Sequence, residues 1–162
     1  MQQGFTPKDL HFSDGGRNKL IDGIKKISRA VKSTLGPRGN TVLIESQEHL
    51  HGITVTKDGV TVAKSISLLD PIENLAVRMM KEAADKTATS AGDGTTTAIV
   101  LTEALVSTGT DMMSGSTNRT EVLKHLVDET MKISETLKSR GKRVDGNTLR
   151  DVAIISANND KK

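Results

Sequence analysis

Apolar residues recur at helical spacing in several long stretches of this chain and cluster as β-branched runs in two short ones. Leu20, Ile24, Ile27, Val31 and Leu35 follow one another at intervals of four, three, four and four, which lines one face of an amphipathic helix. Ser13 or Asp14 is placed to cap its start. Gly36-Pro37 stops it, since glycine suits a C-terminal cap and proline cannot continue a helix. Before it, Lys8 to Phe12 alternates polar and apolar residues, the pattern of a short edge strand. Thr41-Val42-Leu43-Ile44 and Ile53-Thr54-Val55-Thr56 read as a hairpin. The polar residues between them end in Gly52 and make a longer loop than the tight two-residue type.

Lys57-Asp58-Gly59 is a turn signal, and Val60 to Ile66 fits either a strand or a short helix. Asp70-Pro71 opens the next helix, with proline in the first turn where its missing N–H is not needed. Ile72, Leu75, Ala76, Met79, Met80, Ala83 and Ala84 form its stripe, which fades through Thr87 to Ser90. After Gly92-Asp93-Gly94 a further helix runs through Ala98, Ile99, Val100, Leu101, Ala104 and Leu105. It is apolar nearly all round at its start, so it is expected in the core. Gly109 to Asn118 holds a bend or loop. Asn118 and Glu121 are spaced as a capping pair for a helix lined by Leu123, Leu126, Val127, Thr130, Ile133 and Leu137. Gly141 ends that helix. A turn-prone basic linker and a last short helix with Leu149, Val152 and Ala153 follow. Four long helices, one short one and a β-hairpin make the fold class mainly α.

Composition narrows what such a fold can do. The 162 residues suffice for one domain with a real core. Aromatic residues are 1% of the chain, so the core is built from aliphatic side chains and methionine. The stacking platforms of single-strand nucleic-acid binders are missing. The net charge of +3 is spread along the chain, which gives no basic patch for a polyanion; no nucleic-acid partner is expected. There is no cysteine, which rules out disulfides and thiolate metal sites. No segment has the pattern of a signal peptide or the length of a membrane span, and the expected location is cytoplasmic. His49 and His51 read as solvated loop residues, and His11 and His125 are isolated. The Met79-Met80 and Met112-Met113 pairs read as core filler.

Three glycine-containing turns carry the chemistry. In Ser90-Ala91-Gly92-Asp93-Gly94-Thr95-Thr96-Thr97 the glycines let the backbone approach a ligand closely. The helix that starts just after them presents free N–H groups and a positive dipole end, which suits phosphate. A carboxylate repels phosphate, so Asp93 makes sense beside Mg²⁺, a hard cation that takes both kinds of oxygen. An N-cap needs one hydroxyl or carboxylate, and three threonines exceed that need. Thr34-Leu35-Gly36-Pro37 and Lys57-Asp58-Gly59 also lie at element junctions. Taken singly, they read as a helix stop and a turn. Brought together, the three would form a pocket of N–H donors, hydroxyls and two carboxylates, one to hold Mg²⁺ and one to orient a water. There is no Walker-type Gly-x-x-x-x-Gly-Lys-Ser/Thr run.

Thr34-Leu35-Gly36-Pro37-Arg38-Gly39, Thr56-Lys57-Asp58-Gly59-Val60-Thr61-Val62-Ala63, Ala91-Gly92-Asp93-Gly94-Thr95-Thr96-Thr97-Ala98 and Ile155-Ser156-Ala157-Asn158 stand in the order and approximate spacing of the group I, bacterial-type (GroEL-like) chaperonins. The resemblance runs from Lys8 to Asp160. It implies an ATP-dependent chaperone that assists protein folding in a ring, and a multihelical equatorial-domain-like fold with a small hairpin. Residues 1–141 would be the N-terminal half of the equatorial domain and 142–162 the start of the intermediate domain. The cofactors implied are ATP, Mg²⁺ and K⁺. By the same resemblance, Thr34, Leu35, Gly36, Pro37 and Lys57 line the nucleotide site. Asp93 binds Mg²⁺, Gly94, Thr95, Thr96 and Thr97 cradle the phosphates, and Asp58 supports hydrolysis as the catalytic residue. Thr34 and Lys57 through backbone oxygens, with Thr96, match the K⁺ position. Lys8–Phe12 and the hairpin look like the parts that join neighbouring subunits, and Asp160 matches an inter-domain salt-bridge position.

The departures are equally specific. Family chains are several times longer, and the apical domain, which receives unfolded clients and the co-chaperonin, is expected to be absent here. So is the C-terminal equatorial half, with the base-binding wall and a second catalytic aspartate. Gly15-Gly16 stands where alanine is usual and weakens the first helical turn. The loop Ser46 to Gly52 is longer than the usual pattern, and Arg38 replaces a common lysine. On this reading the 162 residues alone bind ATP poorly and barely turn it over. The alternative is a truncated, non-catalytic oligomerisation or interaction module. An unrelated phosphotransfer enzyme would leave the other motifs unexplained.

Overall fold

A computed structural model describes residues 8–12, 14–45, 52–113, 115 and 117–156. Ser13, the loop with His49 and His51, Ala157, Asn158 and Asp160 lie outside the described residues. Among the described residues the order is α1 (Asp14–Lys32), β1 (Val42–Glu45), β2 (Ile53–Thr56), α2 (Gly59–Ser65), α3 (Pro71–Ala91), α4 (Thr95–Met112), α5 (Arg119–Ser139) and α6 (Gly146–Ser156). The mainly helical class with one hairpin is as expected, and the ambiguous stretch after Asp58 is the short helix α2. By packing, the chain divides into a unit ending at Thr110 and a second beginning at Asp111.

The first unit is organised on α1 and α3. Asp70 caps α3 by accepting hydrogen bonds from the backbone N–H groups of Ile72 at 2.9 Å and Glu73 at 3.1 Å, and Pro71 follows in the first turn. Ile27 and Val31 of α1, Val62 and Ala63 of α2, Val77, Met80 and Ala84 of α3 and Ile99 of α4 form the core. All are aliphatic or methionine, as the shortage of aromatics requires. α1 and α3 approach so closely at Gly23 that a Cβ there would lie 2.3 Å from the backbone oxygen of Glu73. Lys19–Asp70 and Lys26–Glu73 ion pairs, each 2.5 Å, flank that contact. Lys32 reaches Glu103 of α4, also at 2.5 Å.

The hairpin is antiparallel, with Val42 opposite Thr56, Leu43 opposite Val55, Ile44 opposite Thr54 and Glu45 opposite Ile53. Strand periodicity puts Val42 and Ile44 on one face, where they pack on the core. Leu43, Ile53 and Val55 stay exposed on the other.

Several expectations are corrected. Residues 8–12 form no strand; a strand needs a hydrogen-bonding partner, and neither β1 nor β2 pairs with this segment. α1 ends at Lys32, so Leu35 falls in the turn beyond it and is exposed. On α3 the buried face is Ala76, Val77, Met80 and Ala84, while Leu75 and Met79 point outward. Ala76, Met80 and Ala84 belong to the expected stripe; Val77 joins them in place of Leu75 and Met79, which lie along its outer edge. α4 runs through Gly109 to Met112 and buries only Thr95 and Ile99. Leu101 and Leu105 are exposed, because being apolar all round does not itself supply a cover. Of the methionines read as filler, Met80 is buried, whereas Met79 and Met112 are exposed.

The second unit contains α5 and α6. The side chain of Asn118 caps α5 as expected, accepting from the Glu121 N–H at 3.4 Å. Asp145 does the same for α6, accepting from the Thr148 N–H at 2.9 Å. Neither helix has a buried residue.

Candidate functional site

The glycine–aspartate–glycine run is a helix-to-helix turn. Gly92 ends α3 in the left-handed conformation, φ 75°, with its N–H on the carbonyl of Ala88. Gly94 is left-handed again at φ 85°, and its N–H donates to Asp93 Oδ1 at 2.6 Å. Residues with a Cβ enter this region at a cost of about 1–2 kcal/mol each, so the two glycines make the turn possible. α4 then starts at Thr95. Its first backbone bond runs from the Ala98 N–H to the Gly94 carbonyl at 2.9 Å. The N–H groups of Thr95, Thr96 and Thr97 therefore precede the helical ladder and point outward from its positive end.

The turn after α1 is built by a third left-handed glycine, Gly36 at φ 81°. The Asn40 N–H closes it onto the Ser33 carbonyl at 2.7 Å. Gly39 lies so near that a Cβ would stand 2.2 Å from the Thr34 backbone oxygen. The Thr34 hydroxyl donates to the Val31 carbonyl at 2.8 Å, which fixes its direction. Leu35, Gly36 and Pro37 are exposed.

Lys57-Asp58-Gly59 is a helix start and not merely a turn. Asp58 caps α2: its carboxylate accepts from the backbone N–H of Val60 at 3.3 Å and of Thr61 at 2.9 Å, and from the Thr61 hydroxyl at 2.6 Å. Burial alone would raise the Asp58 pKa. The hydrogen bonds from Thr61 and Val60, with the Lys64 charge behind them, outweigh burial and hold the carboxyl below its ordinary value. Asp58 is thus a fixed negative charge, too weak a base to take a proton itself but able to orient a donor.

The three turns converge. A Cβ built on Gly59 would lie 2.2 Å from Thr96 Oγ1 and 3.2 Å from Thr34 Oγ1. One residue of the second motif therefore touches a hydroxyl from each of the other two, although the sequence separates them by tens of residues. Over residues 27–162 the sequence matches the TCP-1/cpn60 chaperonin family. The chain belongs to that family. The structure is similar to that of the chaperonin gp146 from the bacteriophage EL 2 (Pseudomonas aeruginosa), crystallised in the presence of ATP-BeFx. The TM-score is 0.79 at 34% identity, over 92% of this chain and 26% of that one. A second crystal form of gp146 gives 0.79 at 33% identity with the same coverage. This chaperonin-family chain spans about a quarter of the length of that relative.

Thr34, Gly59 and Thr96 are thus brought together, with Asp58 adjoining Gly59. Lys57 is exposed, and so are Asp93 and Thr97 on the rim of the α3–α4 turn. Among the described residues no three His, Cys, Asp or Glu side chains gather into a metal cluster. Asp93 fits the other way of holding Mg²⁺, one carboxylate shared with phosphate oxygens. One surface depression runs along α3 past Arg78, Glu82 and Lys86 to Ser90, at the start of the glycine–aspartate run, and another lies between Leu20 and Ile72. Among the described residues no helix is long and apolar enough to cross a membrane. Sequence reasoning missed the parts played by Thr61 and Gly59. The Asp-x-x-Thr spacing at the start of a helix signals the first; nothing in the sequence signals the second, because a glycine after aspartate already has an explanation as a turn residue.

Proposed function

We propose that this chain carries the phosphate side of the ATP site of a group I, bacterial-type chaperonin, an ATP-dependent machine that assists protein folding as a homo-oligomeric ring. The convergence of Thr34, Gly59 and Thr96 carries the reading, because it brings three turns distant in sequence, each at the end or start of a helix, to one point. Residues 1–141 are assigned to the equatorial domain and 142–162 to the start of the intermediate domain. The N–H groups and hydroxyls of Thr95, Thr96 and Thr97, with Gly94, cradle phosphate. Thr34, Leu35, Gly36, Pro37 and Lys57 line the nucleotide beside them. Asp93 holds Mg²⁺; the Thr34 and Lys57 carbonyls with Thr96 hold K⁺. The bound cations would offset the charge of the phosphate oxygens. Asp58, kept ionised by Thr61 and Val60, orients the attacking water. Unfolded clients and a co-chaperonin are partners of the longer family chain. For these 162 residues we propose weak binding without appreciable turnover, since Leu35, Gly36, Pro37, Lys57, Asp93 and Thr97 all stand exposed.

Backbone amide spectra of the chain, titrated with Mg·ATP in potassium buffer, test this. Shifts concentrated at Thr34–Gly36, Lys57–Gly59 and Asp93–Thr97 are expected, and Asp93→Ala should weaken the Mg²⁺-dependent binding by about tenfold, the loss of one good ionic contact. Shifts scattered over α5 and α6, or an Asp93→Ala protein that binds as well as the parent, would refute it. Steady phosphate release abolished by Asp58→Ala would show a self-sufficient site.

A second reading, a non-catalytic oligomerisation or interaction module, is favoured by the exposed apolar side chains Leu43, Ile53 and Val55 on the hairpin and Leu123, Val127 and Ile133 on α5. Mass measurement in solution separates it from the first: a monomer at all concentrations counts against the module.

A further inference from the structure

Gly59 is buried and lies at the meeting point of the three turns, yet none of the roles above belongs to it. Two properties define what it does. Its φ is not in the left-handed region, and it is the first residue of α2, so an alanine could adopt its backbone conformation. What forbids a side chain is space. A Cβ would lie 2.2 Å from Thr96 Oγ1, 3.3 Å from Thr96 Cβ and 3.2 Å from Thr34 Oγ1. The Thr34 hydroxyl cannot swing aside without losing its bond to the Val31 carbonyl. Thr96 is a short β-branched residue, stiff at χ1 and without a flexible end to move aside. An added methyl group therefore either turns the Thr96 hydroxyl out of its place or drives α2 and α4 apart.

We infer that Gly59 is a positioning residue: its missing side chain lets the Thr96 hydroxyl stand against the first turn of α2, beside the Thr34 hydroxyl, and so sets the spacing of the two hydroxyls at the phosphate and cation site. The inference rests on the site reading given above but is tested separately from it. Asp58 is the preceding residue, so the same spacing also sets how far the fixed carboxylate stands from the α4 N-terminus.

The test is a double-mutant cycle of Gly59→Ala and Thr96→Ala in the intact chain, with two readouts. The first needs no ligand: threonine methyl and Cβ resonances, and thermal midpoints. Gly59→Ala should move the Thr96 signals strongly while those of Thr130 on α5 stay, and should lower the midpoint. In the Thr96→Ala background most of that loss should vanish. A single variant that fails to fold beside a double variant that folds supports the inference; failure of both overturns it. The second readout is the apparent Kd for Mg·ATP in potassium buffer. Gly59→Ala should weaken binding by about tenfold, as loss of one hydrogen bond to a charged group does, yet add less than about twofold in the Thr96→Ala background. Equal effects in both backgrounds, or unmoved Thr96 signals, overturn the inference and leave the site reading standing. Absence of Mg·ATP binding by the parent chain removes the site reading, and the ligand-free cycle still decides whether Gly59 positions Thr96.

Discussion

α1 and α5 have the same kind of sequence and different surroundings. Both are amphipathic helices of similar length, 19 and 21 residues. α1 buries Gly23, Ile27, Ser28 and Val31. α5 presents a stripe as regular, yet Leu123 is 58% exposed, Ile133 59% and Leu137 65%. α5 is held by local devices: the Asn118 cap, a Lys132–Glu129 ion pair of 2.6 Å, and hydroxyls bonded one turn back. Such devices contribute a few tenths of a kcal/mol to about 1 kcal/mol each. Isolated helices of this kind are marginal in water, where tertiary packing normally supplies most of the stability. Periodicity therefore says which face of a helix seeks cover; it does not say what covers it.

The largest expected effect breaks this comparison most directly. Ile27 is fully buried, so Ile27→Ala should cost about 2–5 kcal/mol in urea unfolding. Ile133→Ala, on the exposed stripe, should stay within about 0.5 kcal/mol. Equal losses would mean that α5 is covered in solution. Amide exchange sharpens the same contrast, with slow exchange expected in α1 and α3 and fast exchange in α5 and α6.

A pair of helical glycines gives the next contrast. At Gly23 an added Cβ meets the Glu73 backbone at 2.3 Å, whereas at Gly109 it meets nothing within 4 Å. Backbone cannot move aside as a flexible side chain can. Gly23→Ala should therefore destabilise by about 1–3 kcal/mol, the range for overpacking, in spite of its better helix propensity. Gly109→Ala should stabilise by about 0.5–1 kcal/mol from propensity alone. A stabilising Gly23→Ala would show that α1 and α3 can separate at little cost.

The same contrast explains what was legible in the sequence. Elements with local signals were: the Asp70-Pro71 start, the Asn118 cap, the two β-branched runs and the Gly92–Gly94 turn all stand where residue chemistry puts them. Features that depend on a neighbour were not. The Lys8–Phe12 alternation forms no strand without a partner, and the choice between Val77 and Leu75 as the buried residue was made by α1. At the site, the turns themselves could be read from glycines and threonines, and their family order from the four motifs. That Gly59 touches Thr96 could not, because it is set by the tertiary placing of the α2 and α4 starts and not by any local signal.

The effect of pH is smaller and also uneven. Asp58 is held below its ordinary pKa by Thr61 and Val60 against the opposing effect of burial. The hydrogen bond from Lys19 lowers Asp70, and that from Lys32 lowers Glu103. A depressed folded-state pKa contributes stability that is complete above the unfolded-state value and is lost as pH falls through the folded-state value. Melting temperature should therefore hold near neutral pH and fall on the acid side of the ordinary carboxylate range. Asp58→Asn should lower it at neutral pH, with the gap to the parent closing as acid protonates Asp58. A gap that is constant with pH would mean that the cap acts by shape and not by charge.

The smallest effect concerns the one buried side-chain polar atom among the described residues that has no hydrogen-bond partner, Ser28 Oγ. Ser28 is 1% exposed and sits in α1 between Ile27 and Arg29. A buried hydroxyl without a partner costs about 1–3 kcal/mol of desolvation, part of which is recovered when it is removed. Ser28→Ala should then raise stability by about 1 kcal/mol, including the gain in helix propensity. Ser134→Ala, on exposed α5, should gain only the propensity share of about 0.5 kcal/mol or less. If Ser28→Ala instead destabilises, the hydroxyl is bonded to a buried water. The α1 core would then be wetter than its aliphatic lining suggests, and α1 and α5 would differ less in how dry a face each presents.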